Sequence, residues 1–255
     1  EPPQATVTGW YVDVISNTVV VEILPEGQAA AAEFIEASGV DDALVRIVEV
    51  AEAPQLRQQY PLREGDPFFS SGRCSIGFLV FTATYQFGYV TAGHCASVGT
   101  SVQGYNMQAQ GTTRASVFPG SDYALVTVNQ NWIPTYRPLA GASTVSELPL
   151  AEPAAVADPP IGSTVCKMGS TTGLTCGIVQ AKNQTVNYPQ GSVYGLTRTN
   201  LCSEPGDSGA PVFTPDGQPY GIVVGGSGNC GTGGITFVQP LLPLLTALNL
   251  QLLWY

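Results

Sequence analysis

Gly206-Asp207-Ser208-Gly209-Ala210-Pro211 is the stretch whose reading decides the fold. It sets a serine between two glycines, beside a carboxylate, in a turn-rich part of the chain. Serine is a poor nucleophile near neutral pH. It needs a base within hydrogen-bond reach and a third group to orient that base. The base can be only one residue, because the chain has a single histidine, His94, far upstream in Val90-Thr91-Ala92-Gly93-His94-Cys95. A carboxylate at the start of an apolar strand, between histidine and serine in the chain, would complete the set. Ser121-Asp122-Tyr123-Ala124-Leu125-Val126-Thr127-Val128 supplies Asp122. The order His94, Asp122, Ser208 excludes an α/β-hydrolase, which runs serine, acid, histidine. Ala210 also breaks the Gly-x-Ser-x-Gly elbow of that fold.

Composition agrees with a turn-rich, all-β body. Of 255 residues, 29 are Gly and 20 are Pro, and only 11% are charged. No apolar run reaches the roughly 18–20 residues that span a bilayer, so no membrane partner is expected. The Leu-rich end is broken by Pro243 and Asn249 and is expected to pack on the core. The net charge of −10 argues against nucleic-acid binding. That charge is uneven: residues 1–61 hold ten acids and two arginines, a balance of −8, and the remainder is nearly neutral at −2. Two electrostatic regimes imply two domains. Six cysteines without a C-x-x-C pair, and with one histidine, point to disulfides in a secreted protein rather than to a metal site. Six cysteines allow fifteen pairings, and the sequence alone does not choose among them. No signal peptide opens the chain, and it is expected to have been removed. No cofactor is implied.

The front part, 1–52, reads as a small α+β unit. Residues 10–24 form two β-rich runs around Ser16-Asn17, a hairpin signal. Glu26 to Ser38 reads as a short helix closed by Gly39, and Ala43 to Val50 as another strand. Residues 53–61 read as a polar tether. From Ser71 onward short β runs separated by Gly, Asn and Pro dominate, among them Cys74–Thr82, Phe87–Thr91, Tyr123–Val128, Gly177–Ala181 and Tyr220–Val224. This pattern favours paired antiparallel barrels.

The chain resembles the bacterial chymotrypsin-like endopeptidases of the streptogrisin and alpha-lytic protease group. The stretches that carry the resemblance are Ser71 to Phe78, Val90 to Cys95, Ser121 to Leu125, Gly169 to Gly173, Arg198 to Cys202, Glu204 to Pro211 and Gly225 to Cys230. Residues 10–50 look like the end of the pro-region of such enzymes. The resemblance implies an all-β fold of two six-stranded antiparallel barrels over 62–255, preceded by a small α+β pro-domain over 1–61. His94 and Asp122 would come from the first barrel and Ser208 from the second. It implies the disulfides Cys74–Cys95, Cys166–Cys176 and Cys202–Cys230, each worth roughly 3 kcal/mol by the chain-entropy account.

It also implies roles. Ser208 would be the nucleophile, His94 the base and Asp122 its orienter, with the N–H groups of Gly206 and Ser208 as the oxyanion hole. Asp207 would be structural and paired with Lys167, the basic residue after the cysteine of the Cys-x-x-Gly turn, where arginine is common in the group. The pocket would be walled by Ser203, Glu204 and Pro205, by Gly225, Gly226 and Ser227, and by Gly191–Thr197. The Gly-Gly-Ser wall would also pair with the substrate backbone. Glutamate-specific relatives use a pocket histidine, and here the one histidine is committed. With no charged base, the pocket is expected to take large apolar residues. The resemblance implies a secreted, monomeric endopeptidase acting on proteins or peptides. Its pro-region would serve as intramolecular chaperone and inhibitor and be released by a cut within 60–64. A latent or weakened barrel pair acting as a binding module is the alternative.

Two positions depart from the group. Val224 stands where a serine usually supports the triad aspartate, which is expected to slow the reaction. Ala210 stands where glycine is usual, and its methyl is expected to crowd the pocket floor or the backbone there.

Overall fold

A computed structural model describes residues 5–54, 58–135 and 156–253. The chain divides into two compact units, 1–58 and 59–255.

The first unit contains β1 (Val7–Asp13), β2 (Thr18–Ile23), α1 (Gln28–Ser38), one 3₁₀ turn (Asp42–Leu44) and β3 (Val45–Glu49). β1 and β2 form the expected antiparallel hairpin, with Asn17 in the left-handed region at its turn. β3 then pairs with β2 in parallel. A parallel pair needs a crossover rather than a tight turn. α1 supplies it, and its Ala30, Ala31 and Ile35 cover Val7, Val21 and Ile23 of the sheet. Gly39 closes the helix, as the sequence predicts.

The second unit opens with β4 (Tyr60–Leu62), β5 (Pro67–Phe69), β6 (Arg73–Ser75), β7 (Leu79–Phe81), β8 (Phe87–Thr91), β9 (Ser101–Gln103), β10 (Ala109–Val117), β11 (Tyr123–Val128) and β12 (Trp132–Pro134). It continues with β13 (Thr164–Gly169), β14 (Gly173–Tyr188), β15 (Gly191–Thr199), β16 (Pro211–Phe213), β17 (Pro219–Asn229), β18 (Gly233–Pro240), α2 (Leu241–Leu248) and β19 (Gln251–Leu252). β13-β14-β15-β18-β17-β16 close into a six-stranded barrel. The preceding strands form a barrel-like sheet of eight short segments in the order β19-β7-β8-β11-β10-β9-β5-β6. The run Cys74–Thr82, expected as one strand, is two: at Ile76 the chain turns to bond Asp66 (N to O, 2.9 Å) before β7 begins.

Two expectations are corrected here. Tyr60–Leu62 are not the end of a tether. They pair in parallel with β12, and Leu62 is fully buried in the core of the first barrel. The middle of the expected tether, 55–57, lies outside the described residues. Ala210 does not crowd a pocket: its methyl packs in the core of the second barrel with Val165, Val212 and Val223.

The two barrels share apolar contacts. Ile222, Val224, Val193 and Leu196 of the second belong to the same buried cluster as Leu79, Val90 and Leu125 of the first. α2 leaves the second barrel, buries Leu241, Leu244 and Leu245 in that cluster, and delivers β19 to pair with β7 of the first. Pro243 is tolerated because it lies in the first turn, where N–H groups have no helical acceptor. Residues between the barrels are thus held from both sides.

One buried acid gives the fold a pH dependence. Part of Glu64 reaches solvent, but its carboxylate is enclosed and accepts only the Leu79 N–H (3.1 Å). Burial pushes its pKa up to about 7, against the opposing pull of that hydrogen bond. The folded chain therefore keeps a proton that the unfolded chain, near 4.5, has lost. Its contribution is most favourable below that value and is lost as pH rises towards 7. Glu64→Gln is expected to flatten this slope and to stabilise the protein more at pH 8 than at pH 4.5. Denaturant unfolding at the two pH values checks it, and an equal effect at both would remove the carboxyl as the cause.

Candidate active site

His94, Asp122 and Ser208, separated by up to 114 positions in the chain, meet in one hydrogen-bonded line. His94 Nδ1 lies 2.8 Å from Asp122 Oδ2, and His94 Nε2 lies 2.9 Å from Ser208 Oγ. The first contact holds the ring so that Nε2 faces the hydroxyl as an acceptor. Asp122 Oδ1 also accepts the backbone N–H of His94 (3.0 Å), so one carboxylate positions both the ring and its main chain. Asp122 is only 1% exposed. Its own N–H donates to Gln239 Oε1 (3.1 Å), a residue of the second barrel.

The surroundings explain why these side chains cannot wander. His94 sits in a 3₁₀ turn whose next residue, Cys95, is bonded to Cys74. Ser116 Oγ donates to Gly93 O (3.0 Å), and the Phe118 ring meets the imidazole edge-on at 5.7 Å. The Ser208 turn is fastened to the first barrel by two contacts from Ser75. Its N–H donates to Ser208 O and its Oγ to Gly206 O, both at 2.8 Å.

Gly206 has φ +101°, and a Cβ there would meet Thr171 Oγ1 at 2.4 Å. Only glycine fits. Among the described residues, neither the Gly206 N–H nor the Ser208 N–H has a protein acceptor. Two unsatisfied donors beside a nucleophile can hold a developing oxyanion.

Behind the serine, Asp207 and Lys167 are both fully buried, with Nζ 3.4 Å from Oδ2. Burial pushes the Asp207 carboxyl up, but the Thr172 hydroxyl (2.6 Å), the N–H groups of Glu204 and Thr171, and the Lys167 ammonium outweigh it and hold it below its ordinary value. Lys167 also donates to Thr172 Oγ1 and to Gly173 O (2.9 Å). Burial lowers its pKa and the Asp207 charge opposes that. The pair and its hydrogen bonds lock 204–208 to the turn at 170–173.

The structure places the expected pocket walls side by side. Gly226 pairs with Thr236, whose Oγ1 lies 2.6 Å from Ser203 Oγ. Glu204 Oε1 accepts the N–H (3.3 Å) of Cys230, which is bonded to Cys202. The third disulfide, Cys166–Cys176, ties β13 to β14 beside Lys167.

Sequence reading missed a second concavity. A cleft of about 530 Å³ adjoins His94 and Asp122 and is lined by Val98, Phe118, Tyr188, Gln190 and Val224, among others. Apart from Val224, which the sequence marks as a departure from the group, none of these lies in a motif, and no local signal could have found them. Among the described residues, Tyr188 Oη is buried there without a partner. Burial, then the Asp122 charge, pushes its pKa up to about 12. Gly225 makes room for it: a Cβ at that position would come within 2.6 Å of the phenol oxygen. Val224 is 3% exposed and offers no hydroxyl, so among the described residues Asp122 is held by its contacts with His94 and Gln239.

Comparison with known proteins agrees with this geometry. The family described as the alpha-lytic protease prodomain matches residues 1–42, and the family described as trypsin matches residues 80–247. Streptogrisin-C of Streptomyces griseus is 46% identical over 95% of this chain, which spans about half of that protein's length (51%). Streptogrisin-A of the same organism is 33% identical, with 94% of this chain and 76% of that protein covered. Among solved structures, the Nocardiopsis protease NAPase superposes with a TM-score of 0.67 at 46% identity, covering 76% of this chain and 99% of that one.

Proposed function

Because this chain belongs to the trypsin family of chymotrypsin-like serine proteases, in the streptogrisin group with its prodomain, we propose that it is a secreted endopeptidase that cuts after large apolar residues. The observation that carries this reading is the unbroken line from Asp122 through His94 to Ser208 at 2.8 and 2.9 Å.

Ser208 Oγ attacks the scissile carbonyl while His94 Nε2 takes its proton. Asp122 stabilises the imidazolium that results. The carbonyl oxygen, now negative, accepts from the N–H groups of Gly206 and Ser208. On collapse the C–N bond breaks, and the same proton passes from Nε2 to the leaving amine. Water then enters by the mirror-image steps and releases the acyl half. A binding module would need neither the aligned base nor the two free donors, and nothing in the site favours that alternative.

The acyl half pairs with Gly225–Ser227 and places its side chain against Ser203–Pro205 and 191–197. The walls of this pocket are glycine-rich and the one histidine is committed to Asp122 and Ser208, so apolar side chains are preferred. A peptide library tests this. Cleavage after Phe, Tyr, Leu or Met is expected. Cleavage mainly after Lys, Arg or Glu would overturn the specificity, and no cleavage by folded, processed protein would overturn the activity.

The front unit acts as chaperone and inhibitor. Two barrels built from non-local pairings fold slowly, which gives a helper its use. The boundary at 61/62 drawn from the sequence runs through Tyr60–Leu62, whose backbone is paired with β12. Maturation at a bond on the N-terminal side of Tyr60 leaves that strand whole.

A further inference from the structure

We infer that Arg73 selects for a carboxylate on the leaving-group half of the substrate, within the first three residues after the scissile bond. The inference rests on the protease reading above and names a specificity that the reading leaves open.

The two halves of a substrate part at Ser208 Oγ. The acyl half takes the wall formed by Gly225–Ser227 and Ser203–Pro205. The amine half must leave past His94, whose ring lies within 4.8 Å of the sulfurs of the Cys74–Cys95 bridge, and Cys74 belongs to β6. Arg73 is the residue before Cys74. β6 does not drift, because Ser75 is hydrogen-bonded to both Gly206 and Ser208.

The Arg73 side chain lies along the catalytic turn. Its Cδ and Nε are 3.6 and 3.7 Å from where a Gly206 Cβ would stand. One Nη donates to Ser170 O, which fixes the guanidinium at this spot. The residue is exposed, and among the described residues it has no carboxylate partner. The nearby Asp207 is fully buried, and its oxygens are occupied by Lys167, Thr171, Thr172 and Glu204. A positioned guanidinium with free N–H groups, beside the path of the departing chain, fits a planar carboxylate. Residues 62–255 are nearly neutral at −2, so such a cation at the catalytic turn gives acidic peptides a local attraction.

The carboxylate can be an Asp or Glu side chain or a free C-terminus, and the test separates these. Quenched fluorescent peptides would share one apolar acyl half and carry Asp or Asn at the first, second or third position after the cut, all as C-terminal amides. A further pair would end at the third position as free acid or amide. The readout is the ratio of kcat/KM for acid over neutral with the same enzyme, so that any general change in activity cancels. Wild type is expected to favour the acid about 3- to 5-fold at one position, the scale of a partly exposed ion pair, and to lose this in high salt. A preference in the terminal pair alone would assign the carboxylate to the chain end. Arg73→Gln is expected to bring the ratio to about one, Arg73→Lys to retain part of it, and Arg73→Glu to invert it. A ratio of one at every position in wild type, or an unchanged ratio in Arg73→Gln, overturns the inference. Peptides cut by no form of the folded protein would instead overturn the protease reading, and this inference with it.

Discussion

Ser208→Ala is expected to lower kcat by about 10⁶ with little change in stability. The imidazole base acts only through the oxygen that the substitution removes, 2.9 Å from Nε2. Alanine leaves the backbone donors of Gly206 and Ser208 in place, so substrate still binds and a residual acceleration over water of about 10³–10⁴ survives. Peptide kinetics and thermal unfolding of wild type and variant measure the two halves of this expectation. The same variant tests maturation. Wild type is expected to release a product starting at or before Tyr60, whereas Ser208→Ala stays whole. Loss of cutting together with a collapsed melting temperature would show that the serine supports the fold instead. Unchanged kinetics would remove it from the chemistry.

Lys167→Met is expected to be the most damaging substitution for stability. It takes the cation from Asp207, which is fully buried and carries a charge that its hydrogen bonds favour. Breaking a buried pair on one side costs about 3–5 kcal/mol, because the remaining charge has neither water nor counter-ion. Asp207 adjoins Ser208 and holds the Glu204 N–H at 3.0 Å, so the oxyanion turn is expected to shift and kcat/KM to fall as well. Removing both charges, Lys167→Met with Asp207→Asn, should cost less than the single change. Asparagine keeps one oxygen for the N–H groups of Thr171 and Thr172 and gives up the Glu204 N–H, but it strands no charge. Denaturant melts give the comparison, or unfolding rates where refolding without the front unit is slow. A single variant within about 1 kcal/mol of wild type would show that Thr172 and the backbone donors suffice for Asp207. The sign of the acid response follows from the same pair. Since the folded pKa of Asp207 is depressed, its contribution is complete above 3.8 and is lost only as pH falls further, through the folded value.

The legible parts of this protein were those encoded by neighbours in the chain. The hairpin at Ser16-Asn17, the cap at Gly39 and strands such as Phe87–Thr91 follow from turn chemistry and alternation within ten residues. The reacting groups were legible for a different reason. His94 is the only histidine, and Ser208 lies in a glycine turn that only unusual backbone geometry requires.

What could not be read locally was decided by distant contacts. The tether read over 53–61 reaches too far at its end: the composition is polar and proline-bearing, while Tyr60 and Pro61 are paired with β12, some seventy positions away. The same holds for Tyr188, which lines a cleft with Asp122 assembled from both barrels and carries no signature of its own. Ala210 looks like a pocket residue by its distance from Ser208, yet its methyl points into the second barrel. The sequence by itself determined which atoms could react and where the chain turns, since these depend on side-chain chemistry and on φ preferences of single residues. Only the tertiary structure decided which walls face those atoms, which charge is stranded without its partner, and that Arg73 lies along the catalytic turn. Each of these is a distance between residues far apart in the chain, and such distances are set by the packing of the barrels rather than by any local preference.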